Sequence, residues 1–91
     1  MDLNILEELE EVIKDRKINP KEGSYVSGLI NNENDILEKI GEECTELLIS
    51  AKDNKNLDHE AADLIFHIMV LYANKDREFN KVLQELRERR D

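Results

Sequence analysis

The sequence predicts an all-α protein, and three observations carry that prediction. Apolar residues recur at helical spacing in four segments, no run of four or more residues alternates as a strand would, and the turn-forming residues gather between the segments. With 91 residues the chain makes one domain, residues 1–91. A domain of this size buries only about two-thirds of its unfolded surface, so association with a second copy adds useful burial.

The first helix runs from Leu3 to about Arg16. Leu3, Leu6, Leu9 and Ile13, joined by Ile5 and Val12, share a face, and Asp2 is placed to cap it. From Ile18 to Asn34 the chain reads as a connection. It holds the only proline, Pro20, two of the three glycines, Gly23 and Gly28, and the run Asn31-Asn32-Glu33-Asn34, with room for one turn around Val26 to Ile30. Connections this long are often functional. The second helix spans about Asp35 to Asp53, with Ile36, Ile40, Cys44, Leu47, Leu48 and Ala51 as its apolar stripe and acids opposite. After the polar turn Asp53-Asn54-Lys55-Asn56, the third helix covers about Leu57 to Ala73. Its run LIFHIMVLYA is apolar nearly all round, the mark of a central helix. A fourth helix is predicted from about Arg77 to Arg90 through Phe79, Val82, Leu83 and Leu86. Arg87, Arg89 and Arg90 suit its negative C-terminal pole.

Composition narrows the function classes. Aromatic residues are 4% of the chain, so the core is aliphatic, and 22 acidic against 13 basic residues leave a net charge of -9. That balance disfavours nucleic acid and anionic membranes as partners, and any nucleotide ligand then needs cations brought to it. One cysteine, Cys44, allows neither an internal disulfide nor a zinc knuckle, which points to the reducing cytoplasm. On the stripe between Ile40 and Leu47 it is expected to pack rather than react. The acidic start MDLNILEELEEV is unlike a signal peptide, and no stretch approaches about 18 apolar residues.

The residues that point to chemistry are carboxylates. Glu42, Glu43 and Glu46 lie on the second helix and Glu60 and Asp63 on the third, so each helix offers an acidic pair three residues apart and therefore on one face. Two such faces opposed would gather four carboxylates, an arrangement that requires a cation or shifted pKa values. Hard oxygen ligands suit Mg²⁺, with Mn²⁺ as the alternative. Acidic helix faces are commonly just solvated, and first-turn acids also favour the helix dipole. The position of Glu60 and Asp63 at the head of the most apolar helix weighs toward a site.

Several neighbours can be read two ways. Lys39 precedes Glu42 by three residues and can serve a phosphate or an intrahelical ion pair. His67, four residues after Asp63, fits a site partner, a substrate donor or a satisfied core histidine. Gly41 inside a helix costs about 1 kcal/mol relative to Ala, which suggests close approach of a backbone or a ligand. Arg16, Lys17 and Lys21 border the long connection and can reach phosphate or remain solvated.

Three segments, KIGEECTELLISA (Lys39 to Ala51), EAADLIFHIMVL (Glu60 to Leu71) and SYVSGL (Ser24 to Leu29), resemble the phosphoribosyl-ATP pyrophosphatase family of histidine biosynthesis. More broadly they resemble the MazG-like all-α nucleotide pyrophosphohydrolases, whose signature is EExxE followed by ExxD. The resemblance implies a bundle of about four helices completed by a homodimer or higher homo-oligomer. It also implies hydrolysis of the α-β phosphoanhydride of phosphoribosyl-ATP, giving phosphoribosyl-AMP and pyrophosphate. Glu43, Glu46, Glu60 and Asp63 would bind Mg²⁺, and Glu42 would ligate or orient the attacking water. Lys39, Ser24, Tyr25, Arg16 and His67 would border the substrate. The chain departs from the family pattern in SYV for SYT and in the cysteine after the glutamates, and neither change touches the acidic set. A house-cleaning nucleoside triphosphate pyrophosphohydrolase on the same scaffold and a non-catalytic helical assembly module are the alternatives.

Overall fold

The computed structural model describes residues 1–90, and among them it shows five helices and no strand. They are α1 (Asn4–Ile18), α2 (Tyr25–Leu29), α3 (Glu33–Asp53), α4 (Leu57–Asn74) and α5 (Asn80–Arg87). α1, α3 and α4 match three of the expected helices, α5 covers part of the fourth, and α2 is the single turn foreseen in the connection. No helix among the described residues is long and apolar enough to cross a membrane.

Local chemistry sets the boundaries. Leu3, not Asp2, is the residue that enters α1, but the Asp2 carboxylate still accepts the Asn4 N–H at 3.0 Å. Ser24 caps α2, its Oγ accepting the Ser27 N–H at 3.2 Å. Asn32 caps α3 by accepting the Asp35 N–H at 3.2 Å, so α3 starts two residues before the apolar pattern becomes readable. Asn54 and Asn56, at φ 60° and 59°, form the turn to α4; asparagine is among the few residues that take the left-handed conformation at modest cost. The C-terminal helix is shorter than predicted. The Phe79 N–H is drawn onto Glu10 Oε2 at 2.7 Å, so α5 begins only at Asn80, and Arg89 and Arg90 lie beyond its end.

α3 and α4, joined by three residues, form an antiparallel hairpin that is the backbone of the fold. α1 and α2 pack across one end of it. Ile13, Val26, Leu29, Ile30, Ile36, Met69, Val70, Ala73 and Phe79 make the core there. Polar ties close the same end: Lys17 Nζ donates to the Ala73 and Asn74 carbonyls at 2.9 and 3.1 Å, satisfying the last turn of α4, and Asn74 Nδ2 donates to the Ile30 carbonyl at 2.7 Å.

The predicted stripe on α3 needs correction. Ile36 is buried and Ile40 and Leu47 half-buried, but Cys44, Leu48 and Ala51 are exposed. The inward line runs Ile36, Ile40, Glu43, Leu47, Ser50, with Glu43 and Ser50 both buried. The helix is turned about its axis so that Glu43 faces α4, and half of its apolar residues face out. Gly41 does not mark a close approach within the chain, because a Cβ built there meets nothing within 4 Å.

Candidate active site

Beyond the core end, the α3–α4 hairpin brings its two acidic pairs together. One carboxylate oxygen from each of Glu43, Glu46 and Glu60 lies within 4.8 Å of the others. On the α4 side Asp63 joins Glu60 and His59 in a second set at the same spacing, with His59 Nε2 3.3 Å from Asp63 Oδ2. Glu60 thus belongs to both groups. The spacing of three within each helix supplies the pairs, and the antiparallel packing opposes them.

The electrostatics are those of an unneutralised site. Glu43 is 6% exposed, and burial first, then the Asp63 and Glu46 charges, push its carboxyl above the ordinary carboxylate range. Glu60 is raised as well, foremost by the Glu46 carboxylate beside it and then by burial. Oε2 of Glu43 and Oε2 of Glu60 are buried without a hydrogen-bond partner. Buried carboxylate oxygens rarely lack a partner. Hard oxygens converging in that state fit a metal ion.

Lys39 stands at the rim. Its Nζ lies 3.5 Å from Glu42 Oε2, and Glu42 first, then the Tyr25 phenol, hold the ammonium above its usual pKa. Glu42 itself is exposed on this side, outside the close carboxylate sets. Tyr25, half exposed at the start of α2, shares a 2.9 Å hydrogen bond with Nε2 of the buried His67. Ser24 is brought beside it, with its hydroxyl engaged in the α2 cap.

Arg16 pairs with its neighbour Asp15, Nη1 to Oδ2 at 2.9 Å. Lys17 is taken up by the C-terminus of α4. The backbone N–H of Lys21 donates to Ser27 Oγ at 2.9 Å, tying the connection to α2. Sequence reasoning passed over His59. Its position four residues before Asp63 was the available signal, since residues so spaced on a helix are neighbours.

An antiparallel helix pair with opposed carboxylates, clamped at one end by a small apolar core, defines the class: an all-α, MazG-like scaffold with a carboxylate site able to bind a metal ion. Residues 6–90 match the family described as Phosphoribosyl-ATP pyrophosphohydrolase. The chain is 52% identical over 92 residues to the Phosphoribosyl-ATP pyrophosphatase of Methanocella arvoryzae, covering 96% of this chain and 97% of that protein. It is 44% identical over 87 residues to the Phosphoribosyl-ATP pyrophosphatase of Lactiplantibacillus plantarum, covering 92% and 82%. With the Histidine biosynthesis bifunctional protein HisIE of Pyrococcus furiosus it shares 45% identity over 89 residues, 97% of this chain and 42% of the longer protein. The chain belongs to the phosphoribosyl-ATP pyrophosphohydrolase family.

Proposed function

We propose that this chain, acting as a single domain, hydrolyses the α-β phosphoanhydride of phosphoribosyl-ATP to phosphoribosyl-AMP and pyrophosphate, an early step of L-histidine biosynthesis. The observation that carries the reading is the convergence of Glu43, Glu46 and Glu60 within 4.8 Å, with buried oxygens of Glu43 and Glu60 unpartnered. Family membership supplies the substrate.

Glu43, Glu46, Glu60 and Asp63 are the residues that would hold Mg²⁺, with Mn²⁺ as the substitute. A divalent ion there supplies neutralisation of phosphate oxygens and acidifies a water. Glu42 is exposed at the rim beside Lys39, and its carboxylate would orient the attacking water and take its proton. Lys39 Nζ at the rim offers donors to phosphate oxygens, and the Tyr25 phenol, its proton committed to His67, would accept from a hydroxyl of the phosphoribosyl group. Ser24 fixes the start of α2 and with it the placement of Tyr25. Arg16, paired with Asp15, is a further cation for the substrate border in this reading.

The active form is a homodimer or a higher homo-oligomer. Leu37, Leu48, Ile49, Leu57 and Ile65 are exposed on the α3–α4 hairpin, Leu48 at 71%, and a second copy covering them supplies the burial that a domain of this size lacks. The cytoplasm suits a chain with one exposed, unpaired cysteine. The net charge of -9 supports neither nucleic acid nor an anionic membrane as partner.

Pyrophosphate release from phosphoribosyl-ATP, with and without Mg²⁺ and alongside ATP, dUTP and dCTP, tests the proposal in wild type and Glu46→Ala. Mg²⁺-dependent turnover of phosphoribosyl-ATP alone, lost in the variant, is the expected result. Turnover of the free triphosphates instead moves the chain to house-cleaning chemistry, and no turnover of any substrate overturns the enzymatic reading.

A further inference from the structure

We propose that His67 is a positioning residue. It locks Tyr25 of α2 against the Asp63 turn of α4 and acts on the substrate only through Tyr25. The inference rests on the reading of the site given above.

His67 is 5% exposed, and both of its ring nitrogens are engaged. Nδ1 lies 2.8 Å from the Asp63 carbonyl oxygen. A carbonyl only accepts, so Nδ1 carries the proton. In the neutral imidazole Nε2 is then a lone pair, and the Tyr25 hydroxyl, 2.9 Å away, donates to it. Glu43 Oε1, 4.0 Å from Nδ1, is beyond hydrogen-bond range of a proton already committed elsewhere. His67 therefore has no free nitrogen for a metal, for Glu43 or for a phosphate. Its ring is also fixed sideways, meeting the Tyr25 ring at 5.8 Å and 90° and the Phe66 ring at 5.4 Å and 89°.

The thing held is a helix of five residues, too short to be stable alone. Val26 and Leu29 anchor its inner side in the core. The Tyr25 side chain stands on the outer side, where the bond to His67 is its polar tether. That tether fixes the phenol at the rim with its proton committed to His67, so its oxygen is set as an acceptor for a substrate hydroxyl before substrate arrives. Losing it leaves the carboxylates in place and loosens only the substrate side of the pocket.

The test compares Tyr25→Phe, His67→Gln and the double variant with wild type. Each single variant is expected to raise KM for phosphoribosyl-ATP about tenfold, the scale of one hydrogen bond, with kcat changed less than about threefold. The double variant should match the worse single, because either change removes the same bond. Mn²⁺ binding without substrate, read by electron paramagnetic resonance, should stay within about twofold of wild type. A long-range ¹H–¹⁵N spectrum, with the chain's two histidines distinguished by His59→Ala, should show His67 protonated at Nδ1. Penalties that multiply in the double variant, a loss of Mn²⁺ binding in Tyr25→Phe, or an Nε2-protonated ring overturn the proposal. Tyr25→Phe keeps the ring of a half-exposed residue, so it and the spectrum decide the matter even where His67→Gln does not fold. A wild type that leaves phosphoribosyl-ATP intact overturns the substrate reading and this role with it. Failure of the positioning role alone looks different: wild type turns over and the single variants match it.

Discussion

The two ends of the α3–α4 hairpin are built on opposite principles. At the end where α3 begins and α4 finishes, Ile36, Met69, Val70 and Ala73 meet Ile13, Val26, Leu29 and Ile30, and the buried core side chains are apolar. At the turn end, Glu43 and Ser50 are buried, Glu60 and Asp63 half-buried and Glu46 exposed beside them, while Leu48, Ile49 and Leu57 face out. One end stabilises the fold by removing apolar surface from water. The other holds like charges close together and leaves apolar surface uncovered, an arrangement that a bound cation and a second copy would complete. Stability and chemistry are thus separated along one pair of helices, and the stable end is what holds the repelling end in register.

Substitutions at each end can break this division. Ile36→Ala, at a fully buried position, should cost about 3 kcal/mol in denaturant unfolding, and a loss below about 1 kcal/mol would mean that this end does not carry the fold. Glu43→Gln should lower turnover by about a hundredfold, on the order of 2.7 kcal/mol of transition-state stabilisation, while the metal-free chain melts at the same temperature or higher. A large fall in melting temperature would instead make Glu43 a structural residue. Leu48→Glu should weaken self-association by about tenfold in sedimentation while the helix content persists; unchanged association would place the contact elsewhere on the molecule.

The smallest expected effect concerns pH. Glu43 has a folded pKa raised by burial, then by Asp63 and Glu46, from 4.5. A raised pKa means that the folded chain holds this proton more tightly than the unfolded chain does. The group's contribution to stability is therefore present below the unfolded pKa and is lost as pH rises through the folded one. Glu43→Gln should match wild type in metal-free stability at the acid end and gain on it as pH rises through that window. Metal affinity should run the other way and strengthen over the same rise, because ligation needs ionised carboxylates. A stability gap that does not move with pH would show that Glu43 is not strained in the folded chain.

Much of this molecule is readable in one dimension, and the exceptions share a cause. Periodicity placed α1, α3 and α4 to within a few residues, because each carries several turns of repeating apolar positions. α5 was overextended, because the arginines that look like a C-terminal signal lie past a start set by Glu10, a residue of another helix. The Glu43–Glu46 and Glu60–Asp63 pairs were visible from spacing. Arg16 pairs with its neighbour Asp15, a contact that periodicity does not announce, since one cation near a loop has no repeat to say where it points. His59, adjacent to Asp63 in space, looked like an ordinary surface residue.

The sequence alone determined the helical class, the acidic balance, the two carboxylate pairs and the family resemblance, since these depend on residue type and on spacing within a single element. The tertiary structure decided which face of α3 turns inward. Residues 36 to 51 carry two overlapping apolar lines, and amphipathicity cannot choose between them. The choice is made by packing against α4, which buries Glu43 beside His67 and leaves Leu48 in solvent, because a helix's rotation about its own axis is fixed by its neighbours rather than by its own sequence.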